Sequence, residues 1–313
     1  MPDTLNVAPV GEKPTVQMSA LLAWTLLLLA SLFWAGSSIA GRLAVGQVPP
    51  MALAFWRWFI AFLAFLPFTA LPLWRHRAPL LKHWKITVVL AALGIFGFSA
   101  PYYLGLRYTT ALNASLFNAV SPILIVAIAF VWLKARVTPI QLVGILIGFA
   151  GTVVIAVEGD WRLLVTLGFN PGDLLILLGY VSWALFTVVL RWAPKELPSL
   201  ELTCALAGLG TLMFVPMYAL EVDGLGFALT TGNIAIVLYS AIFPSFLAYL
   251  FWTKGVAAVG MHQAGYSQYL VPPFGIVLAT MMLGEAFRLY HVVAIAMIFA
   301  GVWLATRRPA EAR

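Results

Sequence analysis

Long apolar stretches recur along the whole chain and constrain its fold more than any other feature. An α-helix rises 1.5 Å per residue, so about 20 apolar residues cross the hydrocarbon core of a bilayer. Ten such stretches occur within 313 residues, which leaves little chain for a water-soluble domain. They cover residues 20–40, 51–73, 85–106, 111–133, 139–157, 172–190, 200–220, 233–253, 263–283 and 289–306. The pattern predicts an all-α membrane protein with ten transmembrane helices.

The composition supports the same prediction and narrows the partners. Hydrophobic residues make up 63% of the chain and charged residues 9%, whereas soluble domains hold roughly 45–50% and about 25%. The net charge of +7 comes from basic residues in short loops between the stretches. Nucleic-acid binding instead uses basic residues clustered on one face. We therefore expect the lipid bilayer, and no nucleic acid, as a partner.

The basic residues predict the orientation, because short cytoplasmic loops accumulate Lys and Arg. If the N-terminus is cytoplasmic, 13 of the 18 basic residues lie in cytoplasmic segments, four lie on the other side, and Arg57 lies within the second stretch. The first stretch is longer than the apolar part of a signal peptide, so we expect it to be retained as a helix. Both termini are predicted to be cytoplasmic.

The two halves of the chain share a pattern of residues at offsets of 147 to 150. The pairs are Trp34-Ala35 with Trp183-Ala184, Arg42 with Arg191, Ile95-Phe96 with Ile242-Phe243, Tyr102 with Tyr249, Pro122 with Pro272, and Phe149-Ala150-Gly151 with Phe299-Ala300-Gly301. Five stretches per half is an odd number, so the second half enters the membrane from the opposite side. This predicts two inverted five-helix repeats, the geometric basis of alternating access. The segments are a cytoplasmic N-terminal segment (1–19), the first repeat (20–157), an outer linker (158–171), the second repeat (172–306) and a cytoplasmic tail (307–313).

A more specific pattern ends the second half, where Leu283-Gly284-Glu285 follows a proline-containing ninth stretch and precedes small residues over 294–301. Here the chain resembles the EamA-type transporters of the drug/metabolite transporter superfamily, over about residues 20–306. The first half departs from the pattern, with Lys134-Ala135 where the second has Glu285-Ala286. Within the superfamily the chain is most similar to bacterial exporters of aromatic and other neutral amino acids. The resemblance implies export of a small metabolite across the bacterial inner (plasma) membrane, with another metabolite or a drug-like compound as the alternative substrate.

Polar residues beside prolines mark a candidate binding site in two of the stretches, because polar groups are costly at that depth. A proline removes the donor that would bond the carbonyl four residues earlier, and a freed carbonyl must face protein or a water-filled cavity. Such carbonyls, together with side-chain amides, suit an ammonium group. The alternative is a proline kink that only bends the helix, and both can hold together. The residues are Asn118, Ser121 and Pro122 in the fourth stretch and Gln268, Pro272 and Pro273 in the ninth.

Aromatic residues at a similar depth are candidates for the wall of the same site. Their rings give flat apolar surfaces, and their OH and NH groups give a few directed hydrogen bonds. Many aromatic residues in membrane proteins are packing residues or interface anchors instead, so that alternative stays open for each. The candidates are Trp34, Tyr102, Tyr180, Trp183, Tyr249, Tyr266 and Tyr269.

Two further features have a structural and a functional interpretation. Arg57 lies about 9 Å from the outer end of its stretch, and we expect it to extend to the headgroups, with attraction of a carboxylate as the alternative. Gly144, Gly148 and Gly151 let two helices approach closely. We expect this glycine stripe to form scaffold contacts, and a homo-oligomer stays open.

An intramembrane enzyme and a channel are the competing classes of function. Catalysis would need a base or a pair of carboxylates beside a nucleophile, and the stretches place none at core depth. The chain has no metal-binding or nucleotide-binding motif, so no metal and no cofactor are implied. The inverted repeat favours a carrier over a channel. Because carboxylates and histidines fall at stretch ends or in loops, we expect transport to follow the substrate's own gradient.

Overall fold

The computed structural model describes residues 19–75, 77–118, 120–134, 138–162, 170–193, 196, 198–259, 264 and 266–306. Most of the expected N-terminal segment, residues 163–169 of the expected linker and the expected tail at 307–313 lie outside the described residues. Within the described part of the chain every regular element is helical.

The α-helices of the described residues are numbered in chain order. They are α1 (Ala20–Ala44), α2 (Pro50–Arg75), α3 (Arg77–Lys82), α4 (Trp84–Ala91), α5 (Gly97–Gly105), α6 (Ala111–Asn118), α7 (Ser121–Leu133), α8 (Pro139–Ala156), α9 (Pro171–Val189), α10 (Ser199–Glu221), α11 (Thr231–Ala241), α12 (Ala248–Val259), α13 (Val271–Leu283) and α14 (Leu289–Thr306). Two π turns join α4 to α5 and α11 to α12, over Ala92–Phe96 and Ile242–Leu247. Short 3₁₀ turns cover Leu190–Trp192 and Tyr266–Leu270.

Six helical stretches are long and apolar enough to cross a bilayer. The pair α6 and α7, bent by 47° at its break, counts as a seventh if it forms one span. Helices α8, α13 and α14 are also apolar but shorter. The prediction of an all-α membrane protein is therefore confirmed for the described residues.

The polarity of the molecule is inverted relative to a soluble protein. Large apolar side chains cover its outer surface, where Leu21 is 80% exposed, Met281 79% and Leu220 84%. Several hydroxyl groups lie inside, and the side chains of Ser99 and Ser245 are fully buried. Water would not dissolve such a surface, whereas lipid tails are compatible with it.

Each half of the chain supplies a donor to the π turn of the other half. A π turn replaces the i−4 bonds of an α-helix by i−5 bonds, and such turns are frequent at functional sites. The Ser182 hydroxyl donates to the carbonyl of Leu93 at 2.9 Å, at the first π turn. The Trp34 Nε1–H donates to the carbonyl of Pro244 at 3.1 Å, in the second. These bonds hold α9 and α1 against the π turns that precede α5 and α12.

The π turns give an offset between the two halves that differs from the one used to pair Tyr102 with Tyr249. They begin 150 residues apart, whereas the sequence pairing of Tyr102 with Tyr249 used an offset of 147. With an offset of 150, Tyr102 pairs with Trp252. The difference of three residues is close to one helical turn, so both offsets keep aromatic residues on the same helix face.

The glycine stripe of α8 packs within the chain, against α14. A Cβ atom on Gly301 would lie 2.5 Å from the backbone nitrogen of Gly148, and one on Gly151 would lie 2.9 Å from Cγ1 of Ile298. The Gly301 contact shows that the two backbones meet without side chains between them at that point, and Gly151 leaves room for the Ile298 side chain. The stripe therefore forms a scaffold contact between the two halves.

Two other glycines, one in each half of the chain, make similar close contacts. A Cβ atom on Gly105 of α5 would lie 2.7 Å from the carbonyl oxygen of Gly172 and 3.0 Å from Ile176, both in α9. A Cβ atom on Gly255 of α12 would lie 2.5 Å from Cγ of Leu27 in α1. The two glycines are 150 residues apart. In each half, the helix after the π turn thus packs closely on the first helix of the other half.

The left-handed residues that end α7 and α13 give the first testable prediction. Lys134 has φ 51° and Gly284 has φ 65°, and their N–H groups bond the carbonyls of Ala129 and Ala279. A side chain is strained in this conformation and glycine is not. We expect Lys134→Gly to raise the free energy of unfolding by about 0.5–1 kcal/mol, seen as a higher melting midpoint in detergent.

The matched control is the reverse change at the equivalent position. A Cβ atom on Gly284 would meet nothing within 4 Å, so Gly284→Lys changes only the backbone strain and should lower the midpoint. Equal midpoints for the wild type and both variants would contradict the prediction.

Candidate functional site

A cavity of about 60 Å³ lies at the breaks that precede α7 and α13. Side chains of both halves surround it, because α1, α2, α5 and α6 contribute from the first half and α9, α12 and α13 from the second. Seven of the ten substrate-binding candidates line it: Trp34, Tyr102, Asn118, Tyr180, Trp183, Tyr249 and Gln268.

The other three candidates are not placed at the cavity wall. Ser121 is buried next to the first break, and its hydroxyl has no hydrogen-bond partner among the described residues. Tyr266 and Tyr269 belong to the 3₁₀ turn before α13, but their side chains lie outside the described part of the structure.

The prolines begin new helices. Pro122 is the second residue of α7, and Pro272 and Pro273 follow the first residue of α13. A missing N–H has no cost in the first turn of a helix, and the fixed φ of proline suits that position. Both stretches are therefore interrupted at the cavity rather than only kinked.

Aromatic rings form much of the cavity wall and pack against one another. Phe98 stacks on Tyr102 with ring centroids 5.2 Å apart and lies 5.7 Å from Trp183. On the other side Trp34 meets Tyr249 edge to face at 5.9 Å. Such contacts restrain each ring, so the wall is largely preformed.

Hydroxyl groups missed in the sequence analysis add a polar strip to the wall. Tyr102 donates to the Ser38 hydroxyl at 2.9 Å, and Ser38 shares a hydrogen bond with Ser115 at 3.0 Å. Tyr180 donates to the carbonyl of Ala114 at 3.5 Å. The sequence signal for these hydroxyls was the polar pair at 37–38 within the first apolar stretch. The sequence analysis selected the aromatic residues nearby instead.

Arg57 does not extend to the headgroups, so that expectation is wrong. Its side chain is 4% exposed and lines the cavity. Its Nε donates to Ser245 and its Nη1 to Ser37 at 3.1 Å and to Tyr103. The guanidinium also lies 5.2 Å from the ring centroid of Trp58. Hydroxyls from α1, α5 and the second π turn, together with the ring of the adjacent Trp58, thus hold the cation inside the protein.

A second cavity, of about 490 Å³, lies at the connection between α1 and α2. Its wall includes Arg107, Glu221 and Tyr103. Because the Tyr103 hydroxyl also accepts a hydrogen bond from Arg57, this phenol stands between the two cavities.

Two carboxylates of the second half cap helices of the first half. Glu221 accepts backbone N–H groups at the start of α2 at 2.7 and 3.1 Å. Glu285 accepts the N–H groups of Ala111 and Leu112 in α6 at 2.9 and 2.8 Å. Negative charge is favourable at a helix N-terminus. Glu285 therefore has structural partners in α6 of the first half.

A buried polar cluster joins the starts of α6, α9 and α14 away from the cavity wall. Asp173 is 1% exposed and accepts hydrogen bonds from Thr109 and, at 3.5 Å, from Asn113. His291 is 3% exposed. Its Nδ1 accepts the backbone N–H of Arg288 at 2.9 Å, so Nε2 carries the proton and donates to Asn113 at 3.2 Å. The sequence analysis placed both groups at stretch ends but did not foresee their burial.

These features define a class of protein. Apolar helices with lipid-facing surfaces enclose an aromatic and polar cavity at broken helices, and the described cavity wall holds no His, Cys, Asp or Glu side chain. The molecule is a multi-pass membrane protein with an internal cavity lined by aromatic and polar side chains. The model of the EamA-like transporter family matches residues 21–157 and again 170–307. The chain belongs to this family, in the drug/metabolite transporter superfamily.

Individual relatives agree over nearly the full length. The chain is 28% identical over 291 residues to the uncharacterized transporter YyaM of Bacillus subtilis (strain 168), covering 92% of this chain and 95% of the relative. It is 28% identical over 285 residues to a probable terminal-alkyne amino-acid exporter of Streptantibioticus cattleyicolor, covering 91% and 93%. A protein of known crystal structure shares the fold, with a TM-score of 0.62 and 23% identity over 93% of this chain and 98% of that one.

Proposed function

We propose that this EamA-type transporter exports small metabolites by alternating access, with aromatic and other neutral amino acids as its substrates. The observation that carries the proposal is the cavity at the two helix breaks, where Asn118 and Gln268 meet an aromatic wall built by both halves. Secondary transporters bind substrate near the midplane at broken helices, which expose polar backbone groups inside the protein. Aromatic walls with a few directed polar groups are the usual lining of a small-molecule pocket.

The proposal includes ten transmembrane helices in two inverted five-helix repeats, over residues 20–157 and 172–306. Three observations support it: the family model matches each half, the π turns begin 150 residues apart, and Gly105 and Gly255 make equivalent contacts. The ten spans are α1, α2, α4–α5, α6–α7, α8, α9, α10, α11–α12, the turn at 266–270 with α13, and α14.

Both termini face the cytoplasm in this proposal, and the membrane is the bacterial inner (plasma) membrane. The uneven distribution of Lys and Arg supports the orientation. The contact of Gly105 with α9 then lies at the outer ends of the helices, and the contact of Gly255 with α1 lies at the inner ends. Opening one contact at a time would expose the cavity to one side of the membrane.

The size of the cavity supports a mechanism in which binding and opening are linked. A volume of about 60 Å³ accommodates a few water molecules, whereas small-molecule pockets measure roughly 300–1,000 Å³. A substrate of amino-acid size therefore requires the helices around the cavity to move apart. Restrained aromatic rings favour movement of whole helices over rotation of single side chains.

The relatives support an amino acid as substrate without restricting the choice to one. One is named a probable terminal-alkyne amino-acid exporter, and others are named uncharacterized transporters. Another small metabolite or a drug-like compound is the alternative. An intramembrane enzyme would need a nucleophile and a base at the substrate, and the described cavity wall offers no histidine, cysteine or carboxylate for these roles.

Purified protein in liposomes is expected to take up L-phenylalanine faster than liposomes without protein. The panel of compounds includes other neutral amino acids and nucleosides. Uptake should stop at equal concentrations inside and outside, because the described cavity wall holds no carboxylate or histidine to carry a proton with the substrate. Uptake of radiolabelled compound into initially empty liposomes, followed until it stops rising, measures both the initial rate and the final concentration.

The outcomes separate the parts of the proposal. Transport of a nucleoside but of no amino acid would contradict the substrate class and leave the transport mechanism standing. Accumulation that a protonophore abolishes would contradict the absence of proton coupling. A lack of protein-dependent movement for every compound would contradict the export of these metabolites.

A further inference from the structure

Arg57 is a buried cation that is held in place without being neutralised. It is the eighth residue of α2, about 10 Å along the helix axis from the first residue. A charge at such a position in a membrane protein is costly and usually marks a substrate or ion pathway. The side chain is only 4% exposed. It is therefore surrounded almost entirely by protein and by the cavity that it lines.

The groups that hold Arg57 are all neutral. Three hydroxyls accept its hydrogen bonds, from Ser37 in α1, Tyr103 in α5 and Ser245 in the second π turn. The ring of Trp58 adds a cation–π contact at 5.2 Å. Hydroxyls and rings fix the orientation of the guanidinium, but they do not cancel its charge.

One side of the guanidinium is still available. An arginine side chain has five N–H donors, and the hydrogen bonds of Arg57 use Nε and Nη1. Nη2 has no hydrogen-bond partner in the described part of the chain, yet it is absent from the fully enclosed atoms that lack one. This nitrogen therefore has open space beside it.

The described residues place no negatively charged side chain beside this cation. The cavity wall that they form contains no Asp or Glu. The buried carboxylate of Asp173 is instead bonded by Thr109 and Asn113, and Glu221 and Glu285 cap helices. An uncompensated buried charge is strongly unfavourable. A ligand that brings a negative group would remove that cost.

We propose that Arg57 is the subsite for a carboxylate group of the substrate, and that the cavity selects compounds carrying an aromatic or apolar body with one carboxylate. This inference rests on the proposed transport function and specifies the chemistry of the same site. The planar guanidinium forms directed charge-assisted hydrogen bonds with a carboxylate. The apolar body then lies against the aromatic wall around Trp34, Phe98 and Trp183.

The same charge excludes a class of compounds. A lipophilic cation would meet Arg57 in a cavity whose described wall carries no carboxylate to attract it, so like-charge repulsion acts against its binding. An amino group on a zwitterion is tolerated, because the Asn118 and Gln268 side chains offer amide oxygens at the same cavity. The carboxylate should therefore contribute more to affinity than the ammonium.

Four related compounds test, on the wild-type protein, whether the carboxylate contributes more to affinity than the ammonium. L-Phenylalanine carries both groups, 3-phenylpropionate lacks the ammonium, and 2-phenylethylamine and L-phenylalanine amide lack the carboxylate. Binding is measured as ligand-induced thermal stabilisation in detergent, which does not require transport. The two carboxylates are expected to bind at least tenfold more tightly than the two amines, the lower range for a hydrogen bond to a charged group.

The variants Arg57→Gln and Arg57→Lys identify the residue responsible. Gln should abolish the discrimination between carboxylates and amines, and Lys should retain part of it because the charge remains without the planar donors. Arg42→Gln is the matched control, since Arg42 bonds the carbonyl of Leu106 at 2.9 Å and is not part of the described cavity wall. A purely structural role for Arg57 would lower stability and leave the discrimination unchanged.

Each outcome decides for or against the carboxylate subsite. Equal binding of amines and carboxylates by the wild type, no binding of either carboxylate, or full discrimination in Arg57→Gln would overturn it. If Arg57→Gln fails to fold, the wild-type comparison of 3-phenylpropionate with 2-phenylethylamine still decides. Binding of carboxylates by a protein that moves no metabolite in liposomes would support the subsite and contradict the transport proposal, so the two failures are distinguishable.

Discussion

Gly301→Leu is expected to reduce the folded fraction of the protein severely. A Cβ atom at Gly301 would lie 2.5 to 2.7 Å from backbone atoms of Gly144 and Gly148. Backbone atoms cannot rotate away as a side chain can, so α14 and α8 would have to separate. Overpacking of this kind costs about 3 kcal/mol or more, which is a large part of a typical stability of about 5–15 kcal/mol.

The matched control is Gly232→Leu, because a Cβ atom on Gly232 in α11 would meet nothing within 4 Å. Both variants add the same side chain to a helical glycine. We expect the Gly301 variant to lose its monodisperse peak in size-exclusion chromatography after mild heating, and the Gly232 variant to behave as the wild type. Similar profiles for the two variants would contradict the close backbone contact between α8 and α14.

Alanine at four cavity positions is expected to lower transport about tenfold or more while the protein stays folded. Trp34 and Trp183 supply apolar walls, and Asn118 and Gln268 supply amide groups at the helix breaks. Loss of one directed hydrogen bond or one aromatic contact costs about 1–3 kcal/mol, and 1.4 kcal/mol corresponds to a factor of ten. The initial rate of uptake into liposomes, normalised to the folded protein, measures the effect.

The control for the tryptophan changes is Trp74→Ala at the end of α2, where the side chain is 66% exposed. It removes the same group from a surface position, so uptake should stay within about twofold of the wild type. Unchanged uptake in all four cavity variants would place the substrate elsewhere in the protein.

The sequence predicted most of the helices because apolar stretches of about 20 residues have few alternatives in a membrane. It also predicted where the cavity lies. Asn118 and Gln268 are polar residues just before prolines, and a polar residue beside a missing backbone donor is rarely neutral in a bilayer. Trp34 and Trp183 followed from their matching positions in the two halves.

The direction of the Arg57 side chain was beyond the reach of the sequence. The position of Arg57 along its stretch gives the cost of its charge, but not which groups face it from other helices. Ser37, Tyr103 and Ser245 come from three different segments, and only the packing of those segments brings them together. A residue that is able to reach the headgroups was therefore assigned there by default.

The burial of Asp173 and His291 was missed for a related reason. Both are the third residue of a helix, and a position near a helix end was equated with exposure. In the structure the starts of α9 and α14 lie beside the start of α6, whose Asn113 bonds both side chains. Depth along one helix does not measure how much protein surrounds it.

The matching π turns change the face that each following helix presents to its neighbours. A π turn holds one residue more than the α-helical turn it replaces, so each one is equivalent to a single inserted residue. Both halves carry this extra residue at positions 150 apart, and both match the same family model. One extra residue rotates the helix beyond it by about 100° relative to an uninterrupted α-helix. The faces that α5 and α12 turn towards α9 and α1 therefore depend on these two residues.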